Sequence, residues 1–318
     1  MATFCYFWFG GQLKKLLVLG GTGFIGKELV KSLRLRGDVR LMMLIRARVS
    51  YFDLEDIDTI TGDLGSFDLK QVHRFKPDVI IHLARLSGRG RMGRNLASKR
   101  GETANRRIIN WLERELPKTR VVYVSGSLVY GNSTSSLSES APLNPTGFAR
   151  EYLRAEMPWV EAQSNKTLDI CIARPAWILG SGSWFYSSFV RPALRDSAVP
   201  IYGSGENAMS LIDVRDCAAL IARAGLWDYG IKAINLVGPT TDITQNKFVK
   251  LISERMELPT TRICKDFRRG LFSDRASWES LTSSIPIYSG HESFYSGFQY
   301  MAETIEDSIE HHLRIERL

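Results

Sequence analysis

The sequence holds only four cysteines, Cys5, Cys171, Cys217 and Cys264, and none stands in a C-x-x-C or other ligand spacing. A structural zinc centre or a disulfide framework therefore has nothing to build on. Three of them sit in apolar or amphipathic stretches, the setting of reduced thiols, which predicts a cytoplasmic protein. Histidine is scarce as well. His73, His291, His311 and His312 lack partners at ligand spacing, although the last two are adjacent, and His82 falls inside an apolar strand, so no metal site is predicted. No apolar run nears the ~20 residues of a membrane helix, and no membrane partner is expected. The start, MATFCYFWFGG, lacks a basic n-region and a small-residue cleavage site, so it reads as an arm rather than a signal peptide. Internal repeats and low-complexity tracts are absent too.

What remains is ordinary globular composition, 44% hydrophobic and 24% charged, in a length of 318 that suits one large domain or two coupled ones. The unusual number is the charge. Lys and Arg total 42 against 34 Asp and Glu, a formal +8. Such an excess points to nucleic acid, an anionic membrane or a phosphate-rich ligand.

Short β-branched runs alternate with amphipathic stretches, the signature of a parallel sheet covered by helices. Strands are predicted at 13–19, 39–45, 56–60, 77–84, 120–125 and 168–173, and helices after Gly26, at 102–115 and at about 147–163. After Pro175 the rhythm loosens into Gly, Ser and Pro punctuation. The predicted organisation is a nucleotide-binding domain over 13–175 and a smaller substrate-side lobe over 176–318, with 214–237 rejoining the main layer.

Between the first strand and the first helix lies Gly20-Gly21-Thr22-Gly23-Phe24-Ile25-Gly26. Gly21, Gly23 and Gly26 satisfy G-x-G-x-x-G: one glycine for the tight turn, one for close approach of a pyrophosphate, one for helix–strand packing. The helix N-terminus behind them offers free N–H groups and a partial positive charge to phosphates. This order of strand, glycines and helix predicts a Rossmann-type doubly wound α/β fold. An NAD site places Asp or Glu at the end of the second strand to hold the ribose hydroxyls. Here Arg46 stands there with no acid before Asp53, so NADP(H) is expected over NAD(H), Arg46 gripping the 2′-phosphate. The alternative is a solvated arginine.

The chain resembles the extended or atypical short-chain dehydrogenase/reductase superfamily in its NAD(P)-dependent epimerase/dehydratase branch. The matching pieces run in order: GGTGFIG (20–26), GDL (62–64), DVIIHLA (78–84), VVYVSGSLVYG (121–131), ARPAWILG (173–180) and VPIYGSGENAMSLIDVRDCA (199–218). The resemblance implies that Asp63 and Leu64 lie by the adenine. It places Leu83, Ala84 and Arg85 along the pyrophosphate and ribose, and Pro175 at the nicotinamide. It also implies a catalytic Ser or Thr, a Tyr, a Lys four residues on and often an Asn, in which the Lys lowers the phenol pKa and the hydroxyl holds the reacting oxygen.

Two departures stand out. At the serine position is Gly126, leaving Ser125 or Ser127 to substitute. Tyr152 follows at about the right distance, but its i+4 residue is Glu156, whose charge raises a phenol pKa rather than lowering it. Tyr152, Ser127, Ser125 and Asn105 are the candidate catalytic residues; the alternative for Tyr152 is simple packing beside Trp159. For nucleotide-diphosphate sugars the family often carries an Arg before the last strand-to-helix Asp. Met209 falls at that position, with Arg191 and Arg215 out of register.

Arg85, Arg89, Arg91, Arg94, Lys99, Arg100, Arg106 and Arg107 crowd one stretch, opposed in sequence only by Glu102. With Gly88, Gly90 and Gly93 among them, the segment reads as a loop by the cofactor cleft running into a helix. It predicts a phosphate clamp or a nucleic-acid surface, or else a solvated loop; no aromatics interleave for base stacking. Apolar positions on the two flanking helices (Ile108, Ile109, Leu112; Ala155, Trp159, Val160) suit either a homodimer face or the core. The expected function is an NADP-dependent oxidoreductase or epimerase/dehydratase-type enzyme on a small hydroxyl or carbonyl substrate, phosphorylated or nucleotide-linked. The rival is a non-catalytic dinucleotide-binding protein that holds RNA or a protein partner through 85–107.

Overall fold

The computed structural model describes residues 13–46, 54–227, 230–239, 243–264 and 274–316. Its centre is a seven-stranded parallel sheet built from β1 (Lys14–Leu19), β2 (Val39–Ile45), β3 (Asp58–Thr61), β4 (Val79–His82), β5 (Arg120–Val124), β6 (Ile170–Pro175) and, much later in the chain, β11 (Ala233–Leu236). The spatial order is β11-β6-β5-β4-β1-β2-β3. The winding direction reverses between β1 and β4, which opens a crevice at the carboxyl ends of those two strands.

Apart from the edge strand β3, of which only Ile60 is buried, the strands are buried along most of their length, so their sequences read as largely apolar runs rather than alternating ones. The period of two then sorts the side chains. Leu16 and Val18 of β1 face one layer with Leu29, Val30 and Leu33 of α1 (Phe24–Arg34) and Leu220 and Ile221 of α6 (Val214–Leu226). Leu17 and Leu19 face the other, against Phe75 of α2 (Leu69–Phe75), Ile108 and Leu112 of α3 (Gly90–Glu115) and Trp159 of α4 (Ala149–Ser164).

The remaining elements form a lobe with its own aromatic core of Trp177, Phe185, Phe189, Tyr202, Phe248 and Trp278. It contains β7 (Trp177–Leu179), β8 (Val199–Tyr202), β9 (Ala208–Met209), β10 (Leu211–Asp213), β12 (Ile243–Thr244) and β13 (Thr260–Ile263), joined in three two-stranded pairs. Its helices are α5 (Arg191–Asp196), α7 (Gln245–Met256), α8 (Arg275–Thr282) and α10 (Ile305–Glu316), while α9 (Glu292–Tyr295) buries Phe294 in the core of the central sheet. Among the described residues no helix is long and apolar enough to cross a membrane. Nor does any group of three or more His, Cys, Asp or Glu come together to hold a metal there.

The stretch 90–101 departs from the expected loop, because α3 already begins at Gly90. Gly88 and Gly101 serve close packing, whereas Gly90 stands in open space with φ +61° at the helix start. A Cβ on Gly88 would stand 2.1 Å from the Gly93 carbonyl oxygen, and one on Gly101 would stand 3.2 Å from Ala155 Cβ of α4. The ambiguous apolar positions also resolve inward: Ile108, Ile109, Leu112, Ala155 and Trp159 are all buried within the chain.

Candidate active site

The carboxyl ends of the parallel strands bring most of the candidate residues to one edge of the sheet. Gly20 follows β1 with φ +92°, a backbone that L side chains rarely adopt. A Cβ there would also meet the Ala84 nitrogen at 2.7 Å, so the turn can lie against Leu83 and Ala84 after β4 only as glycine. Gly26 is equally constrained, since its Cβ would fall 2.3 Å from the Gly20 carbonyl oxygen. Gly21, by contrast, faces the movable Met43 side chain. The tight spacing is therefore carried by Gly20, Gly23 and Gly26 rather than by the G-x-G-x-x-G subset beginning at Gly21.

Gly23 caps α1 without a side-chain hydrogen bond, and no acidic residue occupies the first helical turn. The amides of that turn are left to an external acceptor, and the helix dipole favours an anionic one. Phe24, one residue on, packs against Gly180 beyond β7, where a Cβ would meet its ring at 2.6 Å. That contact ties the turn to the lobe. This bare, positively polarised cradle fits the pyrophosphate of a dinucleotide.

Arg46 is exposed at the end of β2, and Asp63 and the buried Leu64 follow β3 on the same edge. Arg48 and Asp53 lie outside the described residues. Pro175 is the last residue of β6, buried and paired with Leu236.

A second cluster sits where α4 crosses the ends of β5 and β6. Tyr152 points its hydroxyl at Gly126, where a Cβ would lie 3.2 Å from the phenol oxygen. The Arg85 guanidinium stacks over the Tyr152 ring, 4.9 Å from its centroid. Burial pushes the phenol pKa well up, Arg85 opposes this, and Glu156 adds to it. Tyr152 is thus held as a neutral phenol, a proton donor.

Glu156, one turn further along α4, is wholly buried. It accepts a hydrogen bond from the Ser125 hydroxyl and another, 3.3 Å long, from Arg174 of β6. Arg174 also donates to the Tyr130 hydroxyl at 3.2 Å, and Tyr130 donates to Asn235 at 2.7 Å. Ser127 is buried in the single 3-10 turn Ser127–Val129. Asn105 is occupied elsewhere: its amide donates to the Ala155 carbonyl at 2.7 Å and its oxygen lies 3.0 Å from His82 Nε2. Burial lowers the His82 pKa to about 4, so the ring is neutral, wedged edge-on to Tyr123 and Trp159.

The sequence matches the NAD dependent epimerase/dehydratase family over residues 16–237. The chain belongs to that family. Among individual relatives, the UDP-glucose 4-epimerase of Vibrio cholerae is 22% identical over 304 residues, covering 87% of this chain and 88% of the relative. Two solved structures share the fold. The dTDP-glucose 4,6-dehydratase of Bacillus anthracis in complex with NAD has a TM-score of 0.73 at 17% identity, covering 96% of each chain. The UDP-N-acetylglucosamine 4-epimerase of Methanobrevibacter ruminantium, in complex with UDP-N-acetylmuramic acid, has a TM-score of 0.75 at 19% identity, covering 97% of this chain and all of the other.

Against the epimerase/dehydratase pattern, the sequence reading passed over Phe148. It sits at the start of α4, one turn before Tyr152 as Glu156 sits one turn after, so all three share a helix face. The four-residue spacing of phenol and cation is met in neither register. Phe148 with Tyr152 has no leading hydroxyl; Tyr152 with Glu156 has no cation. Only pairing in space reveals that Glu156 is already neutralised by Arg174.

The basic segment is also quieter than its sequence. Arg94 is held by Glu151 and Asp274, Arg106 by Glu102 and Glu161, and Arg107 donates to the Phe67 carbonyl at 2.9 Å. Arg89, Arg91, Lys99 and Arg100 are exposed on the first turns of α3 and just before it.

Proposed function

We propose that this chain binds a nicotinamide dinucleotide, NADP(H) in preference to NAD(H), and acts on a hydroxyl or carbonyl carbon of a nucleotide-linked sugar. The observation that carries the reading is the glycine cradle, whose contacts with Leu83 and Ala84 leave no space for any other residue at Gly20. In this reading the amides after Gly23 hold the pyrophosphate, Asp63 and Leu64 border the adenine, and Arg46 takes the 2′-phosphate. Leu83, Ala84 and Arg85 run along the pyrophosphate and ribose, and Pro175 borders the nicotinamide. The dinucleotide, when bound, supplies the oxidising and reducing chemistry. The chain's own part is the proton: Tyr152, a neutral phenol, donates a hydrogen bond to the substrate oxygen, and Ser125 or Ser127 orients that oxygen.

Titration calorimetry with NADPH, NADP, NADH and NAD tests the first half, and turnover of a panel of UDP- and dTDP-sugars, with Tyr152→Phe as control, tests the second. A non-catalytic dinucleotide-binding role is favoured by one observation, the glycine at 126 together with the carboxylate at 156. Tight dinucleotide binding with no turnover of any substrate would decide for it.

A further inference from the structure

Tyr152 poses a problem of charge. A phenol ionises near pH 10 in water, and enclosing it raises that further. The groups facing Tyr152 come from four elements: Arg85 from the loop after β4, Glu156 from its own helix, Arg174 from β6, and the Tyr123 ring from β5. Glu156 carries the wrong sign for a phenolate. Arg174 is committed twice, to Glu156 and to Tyr130. On the β5 side Gly126 offers no side chain to the phenol oxygen. Arg85, exposed on the loop after β4, is the cation against the ring, and among the described residues no carboxylate forms an ion pair with it.

We propose that Arg85 is the positioning residue that governs the Tyr152 proton, its guanidinium on the β4 loop serving in place of the cation that α4 lacks. The idea rests on reading this cleft as a hydroxyl or carbonyl site. It adds that the charge has moved from the helix, where Glu156 now pairs with Arg174, to the loop after β4. It follows that the proton responds to whatever displaces Arg85: an anionic substrate group that draws the guanidinium off the ring makes the phenol harder to ionise.

The test replaces Tyr152 with 3-nitrotyrosine in the full chain. The coloured nitrophenolate then reports ionisation at this one position without dinucleotide or turnover. Removing a cation about 5 Å away from a partly exposed site is expected to lower the ionisation constant about tenfold in Arg85→Ala. Arg85→Lys restores it, and Arg85→Gln, which keeps donors without charge, behaves like Arg85→Ala. Midpoints within twofold of the parent in both neutral variants, at unchanged melting temperature, overturn the proposal. So does failure of the Lys variant to restore the midpoint. Should Arg85→Ala not fold, Arg85→Gln against Arg85→Lys decides alone. Failure to bind dinucleotide in calorimetry would sink the functional reading while leaving this titration standing, and the converse holds as well.

Discussion

Single side chains decide the chemistry at this cleft. In the proposed reading Arg46 takes the 2′-phosphate, so Arg46→Ala should weaken NADP(H) binding about tenfold or more, the loss of one charge-assisted contact, and leave NAD(H) affinity nearly unchanged. Calorimetry on the two cofactors reads this directly; equal losses for both would show that Arg46 does not meet the 2′-phosphate, and no loss for either would place it outside the site. Gly26 marks the packing limit. With a Cβ 2.3 Å from a backbone oxygen, Gly26→Ala must push the turn aside. It should cost about 1–3 kcal/mol in a denaturant melt, as overpacking does, and lower dinucleotide affinity in parallel. Gly21→Ala, facing the flexible Met43 side chain and Val30 rather than backbone, should be milder in both measurements. The glycine string was plain in the sequence, but which glycines are irreplaceable was not. That depends on Ala84, more than sixty residues away in sequence.

At the scale of elements, the α3–α4 pair carries the site. Arg94 on α3 holds Glu151 at the start of α4 and Asp274 at the start of α8, and its guanidinium covers the Phe148 ring at 5.2 Å. Its side chain is 17% exposed, so the contacts are partly shielded from water. Arg94→Ala would leave two carboxylates facing each other and should destabilise the fold by about 2–3 kcal/mol. The measurement is urea unfolding with Arg94→Ala compared to Arg91→Ala, an exposed neighbour that should change little. Equal effects would show that the clamp contributes nothing. Helical periodicity made α4 readable, and the sequence placed β1, β2 and β5 almost to the residue. The first twelve residues of α3 were missed because their glycines resemble a loop when the partner helix is unseen. Close approach of α4 is what makes small residues useful there.

Across the whole molecule, buried ionisable groups set opposing responses to acid. Burial holds His82 neutral, with a pKa of about 4. Between that value and its usual ~6.5 the unfolded chain binds a proton that the fold does not, so this group makes stability rise with pH. Asp216 works the other way. Burial raises its pKa to about 6 despite hydrogen bonds from the Met301 and Ala302 amides, so between ~4 and 6 the fold keeps a proton that the unfolded chain loses. Its contribution falls as pH rises. Asp213, three residues earlier, is buried as well, yet hydrogen bonds from His312, Arg215 and Ser308 hold its pKa below the ordinary range, so its share is lost only below ~4. The His82 and Asp216 effects oppose each other between pH 4 and 6. Asp216→Asn should therefore gain stability on the parent as pH rises through that window, by up to about 3 kcal/mol. Melts at several pH values check it, and a constant difference between the two proteins would refute the assignment.

The sequence by itself determined the parallel sheet, the glycine turn and the absence of a lysine after Tyr152, because strand burial, backbone freedom and charge type are written residue by residue. Its +8 was legible too, but not its distribution. Glu151, Glu161 and Asp274 come from distant segments to neutralise Arg94 and Arg106, and Arg174 comes from β6 to meet Glu156. Ionic neighbours separated by tens of residues are set by packing alone. Only the tertiary structure brings Arg85, on the loop after β4, over the Tyr152 ring of α4.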